Sequence, residues 1–222
     1  SQNWIGGASI SDAVFIPPVH TSVADLMSDI EKFANDELNL LPDLLKIAII
    51  HYQFETIHPF LDGNGRVGRL LITLYLVYKG ILKQPILYLS DFFERNRILY
   101  YDNLMRVRTH NDITQWLKFF LTGIIEISKN GVETFDRILQ LQKNLELKLQ
   151  TFGSRTKEAK KVVEYLYSHP VIDVVKIEEI TRKSKVTNYK LLADFERLEI
   201  LKEISGGQRN KLYAFKEYLD LF

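Results

Sequence analysis

Three observations predict a mainly α-helical chain, with a helical core, a small β-hairpin flap at its front and a winged helix-turn-helix module at its end. Apolar residues recur every three or four positions in segment after segment of residues 23–150, the period of buried helices. Residues 4–18 hold two short apolar runs, Trp4-Ile5-Gly6-Gly7 and Ala13-Val14-Phe15-Ile16, separated by small polar residues and closed by Pro17-Pro18. From residue 155 on, the pattern reads helix, helix, short turn, helix, strand, strand.

The flap is assigned to residues 1–18 because its two apolar runs are strand-length and its prolines stop the second one. Helices follow over Val23–Phe33 and Leu44–Ile57. Pro59 disfavours helical geometry at His58, and Asp62-Gly63-Asn64-Gly65 is loop chemistry, so a new helix should start near Gly65 or Arg66 and stop at Gly80. Further helices are expected over Asp91–Arg108, Asn111–Lys129 and Glu133–Gln150. The tail should hold helices at Thr156–Ser168, Ile177–Lys183 and Thr187–Leu198, then strands at Ile200–Ile204 and Lys211–Phe215.

The domain division is drawn as 1–150 and 155–222, where Gly153-Ser154 follows a long polar run. The charge changes there: residues 1–154 hold 15 Lys+Arg against 17 Asp+Glu, and residues 155–222 hold 14 against 11. Neither half is basic enough to require nucleic acid. A chain of 222 residues, 46% apolar and 26% charged, has the composition of a globular protein and needs no staple. The sequence contains no cysteine, which removes disulfides, thiolate zinc sites and cysteine nucleophiles and suits a cytoplasmic location. No stretch reaches the ~18 apolar residues of a membrane span, so no membrane partner is expected.

The chemistry is concentrated in His58-Pro59-Phe60-Leu61-Asp62-Gly63-Asn64-Gly65-Arg66-Val67-Gly68-Arg69. Two glycines and a small polar residue let successive backbone N–H groups turn toward one point, at which the next helix aims its positive end. Arg66 and Arg69 in the first helical turn oppose the helix dipole, which makes sense if an anion sits between them. Asp62 is a hard oxygen ligand suited to Mg²⁺ on phosphate oxygens, and His58 can take a proton. A general base, a metal ligand, an anion cradle and two guanidinium clamps describe phosphate-transfer chemistry. On the preceding helix His51, Glu55 and His58 share a face; His51 reads as a supporting partner, and Glu55 is left open.

Rival patterns fail on context. Gly63-x-Gly65-x-x-Gly68 matches the dinucleotide fingerprint, but a helix rather than a strand precedes it. Glu55-x-x-His58 has no second copy to complete a di-iron site, and the Gly-Lys of a P-loop is absent.

At all eight fixed positions, residues 58–69 match the pattern His-x-Phe-x-Asp-Gly-Asn-Gly-Arg-x-x-Arg, and the chain resembles the Fic family from its flap through Tyr100-Tyr101. That resemblance implies transfer of AMP from ATP to a protein hydroxyl, with Mg²⁺ as cofactor. It implies His58 as the base, Phe60 as the anchor of the loop in the core, and Asp62 as the Mg²⁺ ligand. Gly63, Asn64, Gly65, Arg66, Val67, Gly68 and Arg69 would bind nucleotide, with Arg66 and Arg69 at the diphosphate end. Tyr100 and Tyr101 would line the adenine side; read from periodicity alone, they are core aromatics. Asn3, Trp4, Ile5 and Gly6 of the flap would cover the nucleotide, and the free flap edge would dock the protein substrate. Many relatives carry an inhibitory helix with a Glu followed by Gly or Asn; no such pair occurs here, so that helix is expected upstream of Ser1 or in trans on a partner. Self-association is a further expectation. The alternative reading is a DNA-binding regulator, whose recognition helix presents Asn188, Tyr189 and Lys190, with Arg209 in the wing, and whose core has a secondary or AMP-removing role.

Overall fold

The computed structural model describes residues 2–207 and 211–222. It divides into two compact units, Ser1–Asn130 and Gly131–Phe222.

In the first unit the flap is one antiparallel bridge between Ile5 and Phe15 rather than two full strands. The Ile5 N–H donates to the Phe15 carbonyl at 2.9 Å, and the turn between them closes where the Asp12 carboxylate accepts from the Ala8 and Ser9 N–H groups. Gly6 and Gly7 take left-handed φ values there, so the chain reverses before a ladder can grow. Helices α1 (Val23–Asn35), α2 (Asp43–Ile57), α3 (Asn64–Tyr78), α4 (Leu89–Arg95) and α5 (Arg97–His110) follow. The expected single helix over Asp91–Arg108 is broken at Asn96, whose backbone leaves helical geometry and whose side chain bonds the Phe92 carbonyl.

Helix α2 is buried almost all round, with Ile47, Ala48, Ile50, Phe54 and Ile57 in the core. Its buried polar groups are anchored from other elements: Trp116 Nε1 donates to the Ala48 carbonyl at 2.9 Å, and Lys46 Nζ reaches the Asp36 carbonyl at 3.0 Å. A helix so enclosed makes a rigid support for whatever its C-terminus carries.

Helix α6 runs unbroken over Ile113–Gln150 instead of forming two helices with a gap near Gly131. A glycine inside a helix costs only about 1 kcal/mol against alanine, and apolar positions on both sides of it are buried. Trp116 and Phe120 pack in the first unit's core, and Leu141, Leu145 and Leu149 in the second unit's. This is why the division falls at 130–131, inside the helix, and not at the glycine-serine link.

In the second unit come α7 (Thr156–Leu166), β1 (Val171–Asp173), α8 (Val174–Thr181), α9 (Lys185–Arg197), β2 (Lys202–Glu203), β3 (Leu212–Ala214) and α10 (Lys216–Leu219). The strands form one antiparallel sheet of order β1-β3-β2, with Ile172 opposite Tyr213 and Glu203 opposite Tyr213 on the other side. Strand β1 and α10 were not expected; each spans only three or four residues, too few to show a period. Helix α9 starts at Lys185, two residues before the expected Thr187, because the Ser184 side chain caps it. Asn188, expected as an exposed contact, is fully buried: Thr181 donates to its Oδ1 at 2.7 Å and its Nδ2 donates to the Lys183 carbonyl at 3.0 Å. Tyr189 and Lys190 are exposed, and Arg209 lies outside the described residues.

Candidate active site

The site begins where α2 ends. His58, next to Pro59, closes the helix in the left-handed region at φ 51°, its N–H still donating to the Phe54 carbonyl at 2.9 Å. A non-glycine residue in that conformation carries local strain, which structure tolerates where side-chain placement demands it. The His58 imidazole is half-buried and its Nδ1 has no hydrogen-bond partner among the described residues. Burial pushes its pKa below the ordinary histidine value; the Glu55 backbone opposes this and the Arg108 charge reinforces it. The ring is therefore neutral near pH 7 and free to accept a proton.

Residues 59–63 then turn back into α3. Asn64 is buried and clamps the loop: its Oδ1 accepts from the Phe60 N–H at 2.8 Å and its Nδ2 donates to the Phe60 carbonyl at 2.6 Å. Asn3 of the flap donates to the same carbonyl at 2.7 Å, which ties flap to loop. Phe60 itself is 48% exposed, with its ring 6.3 Å from that of Phe54, so the loop is anchored through its backbone and not through an aromatic in the core.

Helix α3 starts after Gly63 (φ 84°) with no side-chain cap. The first loop-to-helix bond is from the Val67 N–H to the Gly63 carbonyl at 3.0 Å, leaving the Asn64, Gly65 and Arg66 N–H groups without a partner among the described residues. Three free donors at the positive end of a fifteen-residue helix make an anion cradle. Arg66 is exposed and pairs with the carboxylate of Asp62 at 3.3 Å. Arg69 lies one turn along, its Nη1 3.2 Å from where a Cβ on Gly65 would stand, so a side chain there would make the guanidinium give by a few tenths of an ångström.

Two positions expected to bind nucleotide are committed elsewhere. The Val67 N–H is spent within the helix, and Gly68 is buried against α2. His51 Nδ1–H donates to the Gly68 carbonyl at 3.0 Å, and Tyr100 donates from its hydroxyl to His51 Nε2 at 3.0 Å. This pins the His51 tautomer, while full burial brings its pKa to about 4 against the weaker pull of the Gly68 carbonyl. Tyr100 thus belongs to the core, where its ring packs against Phe93 at 4.7 Å; Tyr101 is half-exposed, with Arg97 over its ring. In the flap, Trp4 is 40% exposed and Ile5 forms the bridge, while a Cβ on Gly6 would stand 2.6 Å from Val14.

One residue had no sequence signal. Arg108 of α5 donates from Nη2 to the Glu55 carbonyl at 3.2 Å and lies 3.7 Å over the Phe15 ring, joining flap, α2 and α5. Its partners are more than fifty residues away in sequence, so no local spacing reveals it.

The carboxylate of Asp62, an acceptor-only group beside the anion cradle, is 93% exposed and, among the described residues, held only by Arg66. Among the described residues no group of three or more His, Asp or Glu side chains is close enough to hold a metal ion by itself. A single carboxylate beside a phosphate site fits Mg²⁺, which keeps most of its shell as water and phosphate oxygen.

Residues 7–76 match the sequence model of the Fic/DOC family. An Aquifex aeolicus protein described as a probable protein adenylyltransferase is 45% identical over 74 residues, 33% of this chain and 22% of that one. The protein adenylyltransferase Fic of Culex quinquefasciatus is 33% identical over 120 residues, 54% of this chain and 21% of that one. This chain therefore spans about a fifth of the length of these relatives. A Fic family protein of known crystal structure from Desulfovibrio desulfuricans G20 shares the fold, with a TM-score of 0.52 at 22% identity, over 95% of this chain and 59% of that one. No described helix is long and apolar enough to cross a membrane.

Proposed function

Since residues 7–76 form a domain of the Fic/DOC family, we propose that this chain is a protein adenylyltransferase, moving AMP from ATP to a Ser, Thr or Tyr hydroxyl of a protein, itself included. The observation that carries the reading is the pairing, in one loop, of a neutral, half-buried His58 with the uncapped start of α3 and its two arginines.

In this reading the Asn64, Gly65 and Arg66 N–H groups bind phosphate oxygens, and Arg66 and Arg69 take the diphosphate end. Binding of the triphosphate draws Arg66 from Asp62, an exposed pair that contributes little to stability and is cheap to open. Asp62 would hold Mg²⁺, which supplies neutralisation of phosphate charge when bound. The acceptor hydroxyl oxygen forms a bond to the α-phosphorus as the bond from that phosphorus to the leaving diphosphate breaks; His58 takes the hydroxyl proton, and the arginines balance the charge on the diphosphate. The flap edge, with Val14 and Ile16 exposed, would pair with an extended target segment so that main-chain bonds orient the hydroxyl. The cysteine-free sequence supports a cytoplasmic setting.

The strand and helix order of the second unit supports a winged helix-turn-helix. A DNA-reading role for it is not favoured: Asn188 is buried, and the acidic Asp194 on α9 is already paired with Arg155 and Arg197.

The test is incubation with ATP labelled at the α-phosphate. Label should appear in protein, and His58→Ala should lower transfer by about 10²–10⁴-fold while ATP binding survives. Full activity in that variant would overturn the assignment of the base.

A further inference from the structure

Among the described residues Glu55 is the one buried carboxylate, and the mechanism leaves it unused. It sits on the last turn of α2, three residues before His58, and is only 6% exposed. Its Oε1 has no hydrogen-bond partner and lies 2.5 Å from where a Cβ on Gly68 would stand, so the absent side chain at Gly68 makes room for it beneath the first turn of α3. The charged and titratable groups around it are Arg69 on α3, Arg108 and Tyr100 on α5, and His51 on α2 itself. Arg108 bonds the main-chain carbonyl of Glu55, and among the described residues the carboxylate Oε1 has no partner. The carboxyl group is therefore under the influence of two cations while its Oε1 stays unpaired.

Resting on the proposed nucleotide site, we infer that Glu55 is a positioning residue that counterbalances Arg69 and takes up a proton when the phosphates of ATP occupy the site. With no anion bound, the charges among the described residues that favour the carboxylate are those of Arg69 and then Arg108. A phosphate chain draws on the Arg69 charge and adds negative charge of its own, so the buried carboxylate loses its support and binds a proton from solvent at one carboxyl oxygen. No bond other than that O–H forms. Burial already raises this group to about 7, with Arg69 and then Arg108 opposing, so a modest change in surroundings shifts its occupancy near neutral pH.

The sign follows from linkage: if binding takes up a proton, affinity for ATP weakens as pH rises. Phosphate charge would favour a proton on His58 with the same sign, so the dependence is assigned by readouts specific to Glu55. Isothermal titration of the intact chain with Mg²⁺-ATP, in buffers of different ionisation enthalpy between pH 7 and 8.5, reads the proton uptake directly. The wild type should take up a fraction of a proton per ATP more than Glu55→Gln does, and the affinity of Glu55→Gln should fall less steeply with pH. A carbon-13 NMR titration of the Glu55 carboxyl in the wild type needs no variant, and should show its midpoint moving to higher pH when Mg²⁺-ATP is added. ATP binding with equal proton uptake in both proteins, or an unmoved carboxyl midpoint in the ATP-bound wild type, would overturn the inference. Absence of ATP binding in the wild type would instead overturn the proposed nucleotide site, and this inference with it.

Discussion

At Ser184 the second unit turns from α8 into α9 with a side-chain cap on the new helix. The Ser184 side chain accepts from the Thr187 N–H, and the buried Asn188 bonds both Thr181 and the Lys183 carbonyl. The first unit makes the same kind of corner from α2 into α3, with the opposite arrangement: a left-handed histidine, no cap on α3, free N–H groups and two arginines at the positive end of the helix. One corner is built as folding alone would build it. The other gives up a cap, worth about 0.5–2 kcal/mol, and places cations against the dipole at a cost of about 0.3–1 kcal/mol each. An anion that binds there returns what the fold has forgone.

Acid should separate the two corners most sharply. His51 is buried and neutral behind the first corner with a pKa of about 4, whereas the second corner has an amide, Asn188, in the corresponding role. A histidine lowered from 6.5 to about 4 stabilises the fold fully above pH 6.5, and its contribution is lost as pH falls from 6.5 toward 4. The His51 loss is about 3 kcal/mol, but Glu55 on the same helix, raised to about 7 by burial, gains stability over nearly the same fall in pH and offsets it, so the loss is exposed in Glu55→Gln. Amide exchange on that variant should show α2 and α3 opening over that interval before α8 and α9 do; simultaneous opening would contradict the assignment.

Gly68→Ala should come next. Its Cβ would meet Glu55 Oε1 at 2.5 Å and Phe54 Cδ1 at 3.1 Å, and overpacking of this kind costs about 1–3 kcal/mol. Urea denaturation should show that loss, together with reduced AMP transfer. Unchanged stability would mean that α2 and α3 are not packed as described.

Ser184→Ala should have the smallest effect: about 1 kcal/mol of stability from the lost cap, with AMP transfer unchanged when assayed on folded protein. A drop in transfer comparable to that from His58→Ala would show that the second corner, too, takes part in the reaction.

The first corner was legible in the sequence because its chemistry is consecutive. His58, Asp62, the glycines and both arginines stand within twelve residues, and a glycine pair ahead of a helix with cations in its first turn has no folding rationale. The side that faces the core was not legible. That Tyr100 bonds His51, that Gly68 is empty for the sake of Glu55, and that Arg108 braces flap against helix all depend on residues brought together from distant segments. Asn64 was read for its backbone; its side chain turned out to hold the loop. Gly131 looked like a helix end, but the apolar pattern on either side of it outweighed a single glycine. Asn188 looked like a surface contact because polar residues near a helix start usually are exposed, and nothing local shows that Thr181 and Lys183 would enclose it.

The most direct measurement of the difference between the corners is nitrogen-15 NMR of the backbone amides during titration with Mg²⁺-ATP. The account predicts the largest shifts at Asn64, Gly65 and Arg66, where the donors are open, and none at Thr187, where the donor is already taken. Binding that leaves the Asn64–Arg66 amides unmoved would contradict it.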